Sequence, residues 1–141
     1  MQRPVQRLLQ LRGPRALPES RLAKLVASLR KLDPGVRAAT AEQRYLVETS
    51  GVLGAAERLL LERLLDDGTP PAPAGRGSLY LVVPRLGTLS PWSSKASDIA
   101  RNCGLASVRR IERGTAFYLD SEKPGIAAML HDRRSIVQLR L

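Results

Sequence analysis

The sequence is poor in the residues from which most active sites are built. Among 141 residues there are one Cys, one His, one Trp and one Phe, and aromatic residues make up 4% of the chain. A single cysteine excludes an intramolecular disulfide and fits a reducing compartment. One histidine without clustered cysteines excludes the usual spacing of zinc ligands. Long apolar runs are also missing. The longest stretch without Asp, Glu, Lys or Arg is Leu86 to Ser94, nine residues. A bilayer-spanning helix needs about 20, so no membrane partner is expected. The N-terminus, Met1-Gln-Arg-Pro-Val-Gln-Arg, has neither an uninterrupted apolar segment nor a small-residue cleavage site, which argues against secretion. A cytoplasmic location follows as the expectation.

Positive charge is what the sequence has in excess. Lys plus Arg number 23 against 13 acidic residues, giving +10, and 19 of the 23 are Arg. Such an excess raises a nucleic-acid reading. The arginines are spread over nearly every segment, with only Arg109-Arg110 and Arg133-Arg134 adjacent. Bases would also find few rings to stack on. A stand-alone basic nucleic-acid-binding domain is therefore the alternative rather than the leading reading. With 43% hydrophobic residues the chain has enough apolar material for a core.

Periodicity divides the chain into two halves. Pro4 to Arg12 reads as a strand closed by Gly13-Pro14. Leu22, Leu25, Val26, Leu29 and Leu32 share one helical stripe, bounded by Pro18 and Asp33-Pro34-Gly35. Gln43 to Glu48 reads as a strand. Val52, Leu53, Ala56, Leu59, Leu60 and Leu64 then form the apolar face of a second helix. In residues 66–77, six of twelve positions are Pro or Gly, which reads as a flexible linker. Beyond it the order repeats. Leu79 to Val83 is a short buried strand. Trp92, Ala96, Ile99 and Cys103 are the inward face of a helix capped by Gly104, and Val108 to Leu119 is a strand pair or one strand bulged at Gly114. Pro124 to His131 is a short helix. The expected class is α+β, two βαβα-like halves of about residues 1–65 and 78–133 packed as a pseudo-dimer, the sheet on one side and helices on the other. No residue-level repeat is apparent.

Chemistry concentrates in Val83 to Ile99. Ser90 is a favoured N-cap and Pro91 suits the first helical turn. The N–H groups of that helix end would lie near the hydroxyls of Thr88, Ser90, Ser93 and Ser94 and the cations Arg85 and Lys95, a setting in which an anion could bind. In the plainer reading Ser90 only caps the helix and the other hydroxyls satisfy local backbone; no Gly-rich phosphate loop is present. No catalytic residue is expected elsewhere. Cys103 reads as a buried small hydrophobe, and His131 has no ligand partners. Asp66 and Asp67 suit solvation, and Glu112 balances Arg109, Arg110 and Arg113.

The string Pro84-Arg-Leu-Gly-Thr-Leu-Ser-Pro-Trp-Ser-Ser-Lys-Ala-Ser-Asp-Ile-Ala-Arg-Asn-Cys-Gly-Leu105 resembles the N-terminal domain of the formylglycinamide ribonucleotide amidotransferase family, the large single-chain phosphoribosylformylglycinamidine synthases. Val108 to Gly114 and Leu130 to Arg133 are similar to it as well, whereas residues 1–82 carry its pattern without a diagnostic motif. The resemblance implies a domain like a dimer of the small subunit of split versions of the enzyme. It implies packing between the synthetase and glutaminase domains, and participation in de novo purine biosynthesis. The complete enzyme is implied to be a ligase that uses glutamine as amido donor, with ATP and Mg²⁺, to make formylglycinamidine ribonucleotide. For this chain itself no cofactor, metal or catalytic residue is implied. Arg85, Thr88, Ser90, Ser93, Ser94 and Lys95 are its candidate contacts to the substrate and ammonia region or to neighbouring domains. Where the family reads His-Asp-Arg-Met-Thr, this chain has His131-Asp-Arg-Arg-Ser135, so residues 134–141 are expected to be a divergent tail. A cloning boundary, a truncated gene or a frameshift would each account for it, and the chain alone is expected to be inactive.

Overall fold

The computed structural model describes residues 7–70, 73, 75–84, 90–130 and 135–140. Along them run β1 (Arg7–Arg15), α1 (Glu19–Leu32), β2 (Ala39–Thr49), α2 (Ala55–Leu65), β3 (Ser78–Pro84), α3 (Pro91–Asn102), β4 (Val108–Leu119), α4 (Ile126–Leu130) and β5 (Ser135–Arg140). The strands form one antiparallel sheet in the order β1-β2-β4-β3-β5. The fold is α+β.

Strand alternation sorts the sheet into two faces. Leu11, Tyr45, Val47 and Ile111 point to one side and pack with Leu61 of α2 and Ala100 of α3. On the same side Ala41, Tyr80, Phe117 and Leu119 pack with Leu29 of α1 and Ile126 of α4. Both clusters lie beneath helices, so the four helices share one face. The opposite face carries polar groups. There Glu42, 2% exposed, accepts from Arg12 Nη2 at 2.7 Å and Arg44 Nη2 at 2.8 Å, and Arg44 Nη2 also donates to the Tyr118 hydroxyl at 3.1 Å. Burial opposes ionisation of Glu42, but hydrogen bonds and charge from Arg12 and Arg44 outweigh it and hold the carboxyl below its usual range.

Several boundaries differ from the sequence expectation. β1 runs through Gly13-Pro14 to Arg15 instead of stopping at Arg12, because it is an edge strand and a register shift between Arg12 and Arg15 absorbs the proline. β2 begins at Ala39, four residues before Gln43, since residues 116–119 of β4 offer a ladder to 39–42. β4 is one continuous strand through Gly114, and its register shift lies near the other end, opposite Glu48 and Thr49. Gly114 serves close approach: a Cβ there would lie 2.7 Å from the Val82 carbonyl oxygen. Gly104, with φ +96, terminates α3 as expected and donates its N–H to the Arg101 carbonyl at 3.1 Å.

The larger corrections concern which helix faces are buried. α3 turns Ser93, Ser97 and Ala100 fully inward; of the expected stripe, Trp92 and Ala96 are half-buried against the core, while Ile99 is 43% exposed and Cys103 is exposed. α2 buries Leu61, while Leu59, Leu60 and Leu64 are 49%, 37% and 37% exposed. Residues 135–140, expected to be a divergent tail, form β5 along the outer edge of β3. The Pro/Gly-rich segment turns on itself at its start and meets the rest of the fold at Pro70 and Gly75. Asp66 and Asp67 accept from the N–H groups of Gly68 and Thr69, each at 2.9 Å, Pro70 O accepts from Arg15 N–H, and Gly75 lies against the Tyr118 ring.

Two pairs of counterpart elements end 70 positions apart, α1 and α3 at Leu32 and Asn102 and β2 and β4 at Thr49 and Leu119, while their starts lie 72 and 69 apart. On the central ladder Arg44 pairs with Gly114, an interval of 70.

Candidate functional site

Of the six residues singled out from sequence, Arg85 and Thr88 lie outside the described residues, as does His131. The other four open α3. Ser90 is the N-cap in extended conformation, its Oγ accepting from Ser93 N–H at 3.0 Å, with Pro91 in the first turn. The Ser90 hydroxyl in turn donates to Glu112 Oε1 at 3.3 Å. Glu112, 8% exposed, also accepts from Arg110 Nη2 and from the Arg113 N–H, both at 3.0 Å. A carboxylate of the chain thus stands beside the helix end, where the sequence suggested an external anion. Its pairing with Arg110 matches the charge-balancing role expected for Glu112.

Ser93 and Ser97 are committed to the sheet. β3 pairs with β4 between Thr115 and Leu119, so among the described residues no strand lies beside β4 at Ile111 on the edge away from β2. α3 fills that place with hydroxyls one turn apart. The Ser93 hydroxyl donates to the Ile111 carbonyl, and Ser97 Oγ accepts the Ile111 N–H at 3.0 Å while donating to the Ser93 carbonyl at 2.7 Å. Ser93 is 1% exposed and Ser97 5%. This explains why serines face inward where a sequence pattern favours the apolar stripe: unpaired backbone groups of a buried strand are costlier than a missing methyl group. Ser94 and Lys95 are exposed.

Lys95 borders a second feature that sequence reasoning missed. Tyr45 and Arg113 are cross-strand partners on the helix-bearing face, and Trp92 lies with them: the Tyr45 and Trp92 rings stack at 5.8 Å and 13°, and the Arg113 guanidinium sits 4.6 Å from the Trp92 ring centroid. Only the β2–β4 register brings Tyr45 beside Arg113, so no local pattern could have found the group. Beside it a cleft of about 330 Å³ opens between α2 and α3, lined by Leu61, Leu64, Trp92, Lys95 and Ile99 among others. Burial and then the charge of Asp67 raise the Tyr45 phenol above its ordinary pKa, while the Thr69 backbone N–H leads the hydrogen bonds that lower Asp67. Both shifts fix the neutral-pH charge states, an uncharged phenol and an ionised carboxylate.

Among the described residues no group of three or more His, Cys, Asp or Glu could hold a metal ion. No helix there is long and apolar enough to cross a membrane. Among the described residues six arginines on five elements pair with carboxylates, which leaves the positive charge dispersed.

These features define a class: an α+β domain of helices layered on one face of an antiparallel sheet, with one helix sealing the sheet edge through buried serines. The chain belongs to the formylglycinamide ribonucleotide amidotransferase N-terminal family, whose model matches residues 42–140. It is therefore a domain of a multi-domain amidotransferase of purine biosynthesis. The match begins in β2 and extends through β5.

Proposed function

We propose that this domain serves the amidotransferase as a scaffold and interaction module, without synthetase or glutaminase activity of its own. The observation that carries this reading is the apolar surface left open on two helices of one core cluster: Leu59, Leu60 and Leu64 of α2 and Ile99 of α3 are exposed, and Leu64 and Ile99 line one cleft. Contiguous exposed apolar surface marks an interaction site. Its partners are the synthetase and glutaminase domains of the same cytoplasmic enzyme. There, ATP, Mg²⁺ and glutamine serve the conversion of formylglycinamide ribonucleotide to formylglycinamidine ribonucleotide.

The loop from β3 into α3 faces the synthetase domain near the region where nucleotide substrate and ammonia meet. Within it Ser90 and Ser93 hold the frame, and Ser94, Lys95, Arg85 and Thr88 supply contacts. The halves, about 1–65 and 78–133 with the linker 66–77 between them, form a pseudo-dimer. Its support is an interval of about 70 between counterpart elements, and of 70 between Pro14-Arg15 and Pro84-Arg85 and between the buried Glu42 and Glu112. Because the strand order is β1-β2-β4-β3, a rotation that exchanges β2 and β4 also exchanges β1 and β3.

The test is binding. The chain should associate with the synthetase–glutaminase portion of the enzyme expressed without this domain, and restore its glutamine-dependent product formation. Failure to associate, or product formation by the chain alone, refutes the reading. Retention on generic DNA that weakens steeply with salt would favour a nucleic-acid role instead.

A further inference from the structure

We infer that the outer edge of β1 takes up a strand from the rest of the enzyme, an extended segment of uncharged, mainly apolar residues laid antiparallel to β1. This rests on the scaffold and two-half reading above and names one binding surface of that scaffold. An interval of 70 sets α4 against residues 56–60 of α2, and β5 against residues 65–70. In the second half the chain leaves α4 and returns as β5 along six residues of β3, Leu79 to Pro84. In the first half it leaves α2 and turns away. Asp66-Asp-Gly-Thr-Pro70 stands where Ile136-Val-Gln-Leu-Arg140 makes the strand. Asp66 and Asp67 accept from the Gly68 and Thr69 N–H groups, Gly68 has φ +81, and Pro70 has no N–H to give a ladder. The turn meets β1 at its end, where the Arg15 N–H donates to the Pro70 carbonyl at 3.3 Å. Among the described residues no strand lies beside residues 7–12 on the side away from β2.

This edge offers the hydrogen-bonding groups and the room that a strand requires. The Ala16 N–H donates to the Ala41 carbonyl, so the odd-numbered backbone groups of β2 face β1. With Leu9 opposite Val47 and Leu11 opposite Tyr45, the N–H and C=O groups of Leu8 and Gln10 point outward. A cavity of about 500 Å³ lies along them. Gln10, Leu11 and Arg12 all line it although their side chains alternate between the two faces, so it opens at the edge of the sheet, with Arg58 and Glu62 of α2 across from them. A second cavity, of about 390 Å³, continues past Arg58 to Leu8 and Val52, which are 65% and 71% exposed. Open main-chain groups recruit an extended segment, and the pockets beside them select its side chains. The charges here are already matched within the chain: Arg12 with Glu42 at 2.7 Å, Arg58 with Glu62 at 3.3 Å, and Asp66 with the Gly68 N–H. A further charge would enter without a partner, so the edge accepts uncharged side chains, apolar ones beside Leu8 and Val52.

The experiment titrates the chain against the synthetase–glutaminase portion expressed without this domain. Gln10→Pro deletes the outward N–H at a position an edge strand tolerates, whereas Gln10→Ala keeps the N–H and deletes the side chain. Thermal unfolding checks that both variants keep the fold. Gln10→Pro should weaken association about tenfold or more, and Gln10→Ala should stay within about threefold of the parent. Hydrogen exchange of the unmodified chain, read by mass spectrometry at residue level, is independent of either variant: the Leu8 and Gln10 amides should slow at least about tenfold on association, together with one uncharged segment of the partner. Parent-like affinity of a folded Gln10→Pro, an equal loss in both variants, or unchanged exchange at Leu8 and Gln10 in a formed complex overturns the strand addition and leaves the scaffold reading intact. Protection of these amides in the chain alone, growing with its concentration, assigns the edge to a second copy and overturns it too. Absence of any association by the unmodified chain overturns both.

Discussion

Replacing Ser97 with Ala isolates the contact by which α3 seals the sheet. The Ser97 hydroxyl accepts the Ile111 N–H at 3.0 Å, and Ile111 is 1% exposed, so in the variant that N–H has neither protein nor bulk water beside it. Stranding a buried donor costs about 1–3 kcal/mol. The bond to the Ser93 carbonyl adds little, because that oxygen retains its helical partner, and alanine returns about 0.5 kcal/mol through helix propensity. A net loss of about 0.5–2.5 kcal/mol is expected, against the stability of about 5–15 kcal/mol typical of a domain. In urea this lowers the midpoint by about 0.3–1.2 M at unchanged slope, taking a slope of about 2 kcal/mol/M. Native-state hydrogen exchange followed by NMR adds a local readout: the Ile111 amide should lose protection beyond the global change. Ser94→Ala, three residues earlier and exposed, should stay within about 0.5 kcal/mol of the parent. If Ser97→Ala is as stable as the parent and Ile111 exchanges as slowly as before, the edge-sealing role is refuted.

The Glu42 carboxyl titrates lower in the folded chain than in the unfolded one, so it contributes stability above its unfolded value that is lost as pH falls through the folded one. Glu42→Gln should therefore flatten the decline of the urea midpoint between pH 5 and 3, and an undiminished slope would contradict this. Glu42→Ala should be harsher, about 3–5 kcal/mol, because Arg44 is left with 8% exposure and no counter-charge; a loss below about 1 kcal/mol in denaturant melts would show that the pair is not needed. Cys103, expected from its stripe to be buried, is exposed at the C-cap of α3. It should react with iodoacetamide in the native chain at a rate comparable to the denatured chain, and protection of a hundredfold or more would show that it is buried after all.

The order of elements was legible because each is written locally. The helix stripes, the caps at Ser90 and Gly104 and the turn at Asp33-Pro34-Gly35 need only neighbours a few residues away. The family could also be read from the string around Pro84 to Leu105, which lies within the matched residues. What needed the tertiary structure was everything set by distant partners. β2 could start at Ala39 only because β4 reached it, and residues 135–140 became a strand only because β3 offered an edge. Tyr45, Trp92 and Arg113 met through the β2–β4 register and the seating of α3. Above all, periodicity identified an apolar stripe on α3 without telling which molecule would cover it. Here the Ile111 backbone claimed the serine face, and the far end of the stripe, Ile99 and Cys103, was turned outward. The sequence by itself determined the family, the alternation of strands and helices and the positions of the caps. Only the tertiary structure decided which helix faces were buried, because a long-range demand for hydrogen bonds at a strand edge outweighed the local preference for burying carbon.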